Sequence, residues 1–420
     1  MTSRERVRAA LNHQQPDRIP VDFGSTMVTG ISASVVSRVR RSFGLDGHDD
    51  RVKVIEPYQM LGDMEDDLRE KLFVDCAGLF GRKNMFGFEN KDWKPWTMFD
   101  GTPVLIPALF NTESDEDGNI PMYAGGDRSF PPAAMMPKGG YYFDSVERQK
   151  PVVESKLNVN DNLEEFGYFP EEELSHLEKQ SEWFYNNTEF AIVYSMGGTS
   201  FGDIAYVPGP MLRDPKGIRG VEEWYISTVI RRDFVYEVFE RQCEIGLKNL
   251  AAVREAVGDR IEVIFITGTD FGTQRGPFIS PDAYRDLFKP FHKRICDWIH
   301  NNTPWKVFIH SCGGVHPLIE DFIDAGFDIL NPVQCSAEGM SPQCLKDDFG
   351  DRITFWGGGI DTQKTLPFGT PEEVYIEVSE RIRIFNENGG FVFNAIHNIQ
   401  AGTPVENVAA MIKAINDSFL

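Results

Sequence analysis

Lys306-Val307-Phe308-Ile309-His310-Ser311-Cys312-Gly313-Gly314 is the stretch from which the rest of the chain is read. Bulky apolar residues over 307–309 predict a short buried strand, and the glycine pair predicts where it stops. Side chains repeat every second residue in an extended segment, so His310 and Cys312 project to one side, where imidazole and thiolate can share one metal ion.

Working outward, the same pattern recurs. Apolar runs at 190–196, 261–266, 327–332, 353–359 and 391–395 each read as a strand ending in glycine or polar residues. Helical periodicity fills much of the chain between them: 171–186, 231–257 and 280–300, the last opened by Ser280 as cap and Pro281 in the first turn. Nearer the start, Thr2-Ser3-Arg4-Glu5 is a capping box for a short helix. A strand follows at 18–24, then helices at 31–45 and 62–73. Alternation of this kind predicts parallel strands joined by right-handed helical crossovers, and over so much chain a (β/α)8 TIM barrel rather than an open sheet. One domain is expected over residues 1–420. Between 80 and 150, glycine, proline and aromatic residues replace the helical period, which predicts an irregular or hairpin insertion covering one face. There Pro103–Pro107 reads as a strand, and the polar turn 111–119 as leading to a return strand.

The formal net charge of −22 opposes nucleic acid and anionic membranes as partners, since no strong basic patch offsets it. No signal-peptide core and no run long enough to span a membrane is present, so a cytoplasmic protein is expected. In that reducing setting most of the six cysteines are expected as free thiols, which leaves Cys312 and Cys335 available as ligands.

In a TIM barrel, chemistry gathers where strands end. The residues there are Asp22, Asp270, His310 with Cys312, Gln334 with Cys335, Asp361 after Gly357-Gly358-Gly359, and His397 followed by Asn398 and Gln400. Two ligands from one strand and a third from another make a three-ligand zinc site with an open position, as catalysis requires. The third ligand is His397 or Cys335. Asp22 and Asp361 equally suit loop bracing, and Gln334 equally suits pairing with loop backbone. His316 reads as a helix start. His13, His48, His176, His292 and His300 read as solvated residues of helices or surface turns.

The segments ERVRAALNHQQPDRIPVDFG (5–24), TDFGTQRGPFISPDAYRDLFKPFHKRI (269–295), HSCGG (310–314), FGDRITFWGGGIDTQKTLPFGTPEEV (349–374) and GGFVFNAIHNIQAGTPVENVAAMIKAI (389–415) together resemble the uroporphyrinogen decarboxylase superfamily. The likeness runs nearly end to end and is nearest the branch of corrinoid-dependent methyltransferases, which includes the methylcobalamin:coenzyme M enzymes. It implies a TIM barrel holding zinc through the His310–Cys312 pair and a later ligand ahead of Thr403-Pro404-Val405-Glu406-Asn407. That branch places a cysteine at the later position; the nearest residue here is His397. The arginine-containing motif of the decarboxylase itself is absent, so the several carboxylates of its substrate would lack bidentate partners.

The resemblance implies Zn2+ and a corrinoid (cobalamin), bound directly or on a partner protein, and allows a homodimer. Two neutral imidazoles and one thiolate keep zinc electrophilic, which suits polarising an ether oxygen. The expected activity is therefore methyl transfer from a methoxylated small molecule to the corrinoid (O-demethylation). Asp270 or Asp22 is expected to orient substrate and Gln334 to hydrogen-bond substrate or corrinoid, with Gly358, Gly359 and Asp361 as corrinoid contacts. The alternatives are a metal-free decarboxylase-like enzyme and a non-catalytic corrinoid- or tetrapyrrole-binding protein.

Overall fold

A computed structural model describes residues 1–45, 51–196 and 198–419. His48, read above as a surface residue, and Gly197 lie outside the described residues.

Seven strands form one parallel sheet: β1 (Cys76–Leu79), β2 (Ala191–Ser195), β3 (Val263–Thr267), β4 (Lys306–His310), β5 (Ile329–Asn331), β6 (Thr354–Trp356) and β7 (Phe391–Val392). Each pairs with its neighbours in chain order. Every crossover between them contains helix, as in Arg232–Val257 ahead of β3 and Pro371–Phe385 ahead of β7. The segment at residues 20–22 spans the gap between the two edges. Phe393 donates to the Pro20 carbonyl and Asp22 to the Phe393 carbonyl on one side, while Asp75 donates to the Val21 carbonyl (2.7 Å) on the other. The expected strand at 18–24 thus reduces to a single bridge, yet it closes the sheet into a TIM-like barrel.

The two faces of this sheet bury different residues. Cys76, Val193, Val263, Phe265, Phe308, Ile329, Trp356 and Val392 pack together inside the ring, and Val7, Ala10 and Leu11 of the first helix (Ser3–Leu11) join them. That helix carries the expected capping box at Thr2 and Glu5. The opposite faces of the strands pack on the surrounding helices. Strand alternation then dictates where His310 points: Phe308 faces inward, so His310, two residues on and last in β4, faces inward at the carboxyl-terminal mouth.

Several local expectations are corrected. The helix expected at 62–73 covers only Asp66–Lys71, because Leu61–Gly62 pairs as a strand with Val52–Glu56. Pro103–Ile106 is a strand, but it lies between Lys94–Thr97 and Val52–Glu56; the strand after the polar turn, Ile120–Met122, pairs with Ala134–Met136 instead. The helix expected over 280–300 breaks at Phe288 into Pro281–Leu287 and Lys289–Asn302. Pro290 has no N–H for the ladder and its ring crowds the preceding turn. Among the described residues, no helix is long and apolar enough to cross a membrane.

His292, expected at the surface, is fully buried, and its Nδ1 lies 2.9 Å from the Tyr284 hydroxyl. Burial pushes it down to about 3, so the ring is neutral and shares one hydrogen bond with the phenol. Tyr284→Phe would leave Nδ1 buried without a partner and is expected to cost about 1–2 kcal/mol in urea unfolding. An unchanged midpoint would show that the pair contributes nothing to stability.

Candidate metal centre and adjoining cavity

Asn331 ends β5 beside His310, and its Nδ2 donates to the Trp356 carbonyl (2.7 Å). Its Oδ1 is thereby turned to His310 Nδ1, 2.6 Å away. An amide oxygen only accepts, so Nδ1 carries the proton and Nε2 presents its lone pair to the Cys312 thiol. Burial pushes His310 down to about 4 against the opposing pull of that hydrogen bond, and the ring is neutral.

Cys312 Sγ lies 3.3 Å from His310 Nε2, close to the roughly 3.5 Å that tetrahedral zinc imposes between ligand atoms. Its backbone N–H donates to Asp270 Oδ1 (2.6 Å), which fixes the turn that presents the thiol. Burial and the nearby Asp270 carboxylate push the thiol well up, so a metal ion would have to displace its proton.

The His397 ring stands nearly perpendicular to that of His310, with centroids 5.4 Å apart. Potential ligand atoms of His310, Cys312 and His397 lie within 4.8 Å of one another. His397 Nδ1 accepts the Asn398 N–H (2.8 Å), which places the proton of the neutral ring on Nε2. Holding a metal would replace either that N–H or that proton. Burial, then the neighbouring His310, push His397 down to about 4. One directed lone pair, one thiol and a second imidazole fit a three-ligand zinc site; closing 4.8 Å to zinc spacing asks for about 1 Å of movement.

The other expected site residues divide. Asp270 lines the cavity beside this group, 4.0 Å from His310 Nε2, and burial raises its carboxyl. Gln334 braces the loop after β4, its Oε1 accepting the Gly313 N–H (2.8 Å). Asp22 is held in the barrel wall by the Ser25 N–H and hydroxyl and the Trp356 indole N–H, and does not line the cavity. Asp361 caps its own turn through the N–H groups of Gln363 and Lys364. Neither it nor Gly358 nor Gly359 reaches the cavity. Cys335 stands outside the ligand group, its Sγ 4.0 Å from the Gly358 carbonyl.

His310, His397 and Asp270 open onto a cavity of about 380 Å3, which adjoins a second of about 630 Å3 through Met27, Glu56, Met85 and Tyr206. Sequence reasoning missed Asp203 and Glu56, which also line it. Burial pushes both carboxyls up to about 7, against the N–H groups of Ala205 for Asp203 and of Gln59 and Tyr58 for Glu56. Asp203 sits in the loop after β2 but eight residues beyond the strand, too far for the strand-end rule that singled out Asp270. Glu56 ends a strand outside the barrel, where no periodicity marks it.

Comparison with known proteins gives consistent matches. Residues 242–418, spanning β3 to the last helix and all three potential ligands, match the family model described as uroporphyrinogen decarboxylase (URO-D). A methylated-thiol–coenzyme M methyltransferase of Methanosarcina mazei is 26% identical over 140 residues, 33% of this chain and 34% of that protein. A uroporphyrinogen decarboxylase of Parasynechococcus marenigrum is 27% identical over 139 residues (32% and 36%), and one of Coxiella burnetii 22% over 146 (34% and 38%). The chain thus matches only about a third of the length of these curated relatives. A solved methyltransferase structure from Methanosarcina mazei superposes over the whole of both chains with a TM-score of 0.55 at 16% identity, a likeness of fold.

Proposed function

We propose, from the match of residues 242–418 to the uroporphyrinogen decarboxylase family model, a zinc-dependent methyltransferase that moves a methyl group from a methoxylated small molecule to a corrinoid. The observation that carries this reading is the His310–Cys312 pair at zinc spacing, with His397 beside it, at the edge of a cavity. When bound, zinc supplies a Lewis acid for the substrate oxygen and the corrinoid supplies the methyl acceptor. Asn331 holds the His310 lone pair in place; a second residue of this kind is what keeps a metal-binding imidazole oriented. Asp270 fixes the Cys312 turn through the backbone N–H and leaves its other oxygen for a substrate hydroxyl. Phe265, Met27 and Met85 give the cavity an apolar wall beside the ligand group. A cytoplasmic setting, which keeps the thiol reduced, belongs to the same reading.

A decarboxylase acting on a polyanion fits the cavity less well. Arg219 is the one Lys or Arg among its lining residues, and it is engaged with Glu165.

The test is protein purified without chelator, assayed for zinc and for conversion of cob(I)alamin to methylcobalamin with methoxylated aromatics, methanol and methylamines. About one zinc per chain and turnover of at least one methoxylated donor is expected. Substoichiometric zinc, or no methyl transfer from any donor, would overturn it.

A further inference from the structure

The cavity beside the metal-ligand group carries charge of one sign. Glu56, Glu147, Asp203 and Asp270 line it. Its one lining cation, Arg219, is 1% exposed, and its guanidinium is engaged by Glu165 and by the carbonyls of Lys216 and Asp161. No Lys or Arg lining the cavity pairs with these acids; backbone N–H groups of Tyr58, Gln59, Ala205 and Cys312 reach Glu56, Asp203 and Asp270 instead.

Asp203 shows this most clearly. The side chain is only 6% exposed; Oδ1 accepts the Ala205 N–H (2.8 Å), and Oδ2 has no hydrogen-bond partner among the described residues. Opposite it lies Gly268, where a Cβ would come within 2.7 Å of Oδ2. Any larger residue there would cover that oxygen, so the pairing of Asp203 with Gly268 keeps an acceptor open inside the cavity. Oδ2 therefore faces the cavity with its lone pairs unused by the protein, a place where a ligand can supply a donor.

The walls point to the kind of donor. Tyr58, Tyr206 and Phe265 line the same space, and aromatic faces beside carboxyl groups are the usual surroundings of an organic cation. At about 380 Å3 the space is at the small end of ordinary ligand sites, which suits a single-ring molecule.

Resting on the methyltransferase reading above, we propose that this cavity takes a methyl donor bearing an ammonium group, held by Asp203 and Glu56 among these rings, and rejects donors bearing a carboxylate. The substrate class is then the methoxylated amines.

The test compares three molecules of one shape, 3-methoxybenzylamine, 3-methoxybenzyl alcohol and 3-methoxybenzoate, by titration calorimetry on the zinc-loaded protein at pH 8. The amine is expected to bind at least about tenfold tighter than the alcohol, and the alcohol tighter than the benzoate. In Asp203→Asn and in Glu56→Gln the amine-to-alcohol ratio is expected to fall at least about threefold while alcohol binding and zinc content hold. Those two readouts report that each variant is folded, and if one fails to fold the other decides. Benzoate binding as tightly as the amine, an alcohol equal to the amine, or a preference that survives in the folded variants would overturn the proposal. Zinc content and cob(I)alamin methylation are read on the same sample. Amine preference without zinc or methyl transfer would sink the methyltransferase reading and leave a cation-binding cavity, whereas methyl transfer without amine preference would sink only the charge selection.

Discussion

His310→Ala is expected to reduce bound zinc from about one per chain to below about a tenth, and methyl transfer to cob(I)alamin by at least about a thousandfold. The reason lies in the order in which the ligands are ready. His310 presents a lone pair fixed by Asn331, whereas Cys312 must lose a proton and His397 must exchange a partner. Removing the ready ligand leaves two that each cost energy to recruit. Asn331→Ala, which frees the ring without deleting it, is expected to weaken zinc by about 10–100-fold. Metal analysis and the visible spectrum of the corrinoid check both. Full zinc in His310→Ala would sink the assignment of this group as the metal site.

Asp75→Ala is expected to destabilise the fold by about 3–5 kcal/mol in urea unfolding, the range for breaking a buried ion pair from one side. Asp75 is fully buried. Its Oδ1 accepts from Arg6 Nη1 (2.7 Å) and Arg18 Nη2 (2.9 Å), and its Oδ2 from Arg18 Nη1 (2.8 Å) and the Val21 N–H (3.0 Å). Its backbone N–H also reaches the Val21 carbonyl. One side chain therefore ties the first helix, the closing segment and the start of β1 together. The alanine variant would leave Arg6 buried facing Arg18, with Val21 lacking an acceptor. A loss below about 1 kcal/mol would show that the ring closes without this clamp.

Six of the seven barrel strands were legible because burial on both faces writes continuous apolar runs such as 307–309 and 191–194, and each ends where polar residues begin; β1, whose four residues are Cys76, Ala77, Gly78 and Leu79, carries no such run of bulky residues and was missed. The His310–Cys312 pair was legible because extended chain fixes side-chain direction over two residues. What the sequence left open depends on distances between segments far apart in the chain. Whether Asp22 or Asp270 reaches the cavity turns on the Trp356 indole, which takes Asp22 out of it. The choice between His397 and Cys335 turns on the position of the loop after β5, which leaves Cys335 beside Gly358. His292 misled because Lys293 and Arg294 follow it in sequence, while its ring enters an aromatic layer of Phe201, Tyr284 and Phe327. Asp203 lay in a glycine- and proline-rich loop, where composition says nothing about direction.

Ring closure also sets an order of events during synthesis. The closing segment finds its second neighbour only when the last strand arrives; the contact of Asn394 with the Asp22 carbonyl joins residues 372 apart. At about 5–20 residues per second, that interval lasts tens of seconds on the ribosome. The Asp75 clamp with Arg6, Arg18 and Val21 lies wholly within the first 75 residues, so it can dock the closing segment against β1 early and cover that edge. The opposite edge stays open until β7 emerges, and the nascent chain is expected to be most exposed to aggregation in the stretch of synthesis just before residue 391.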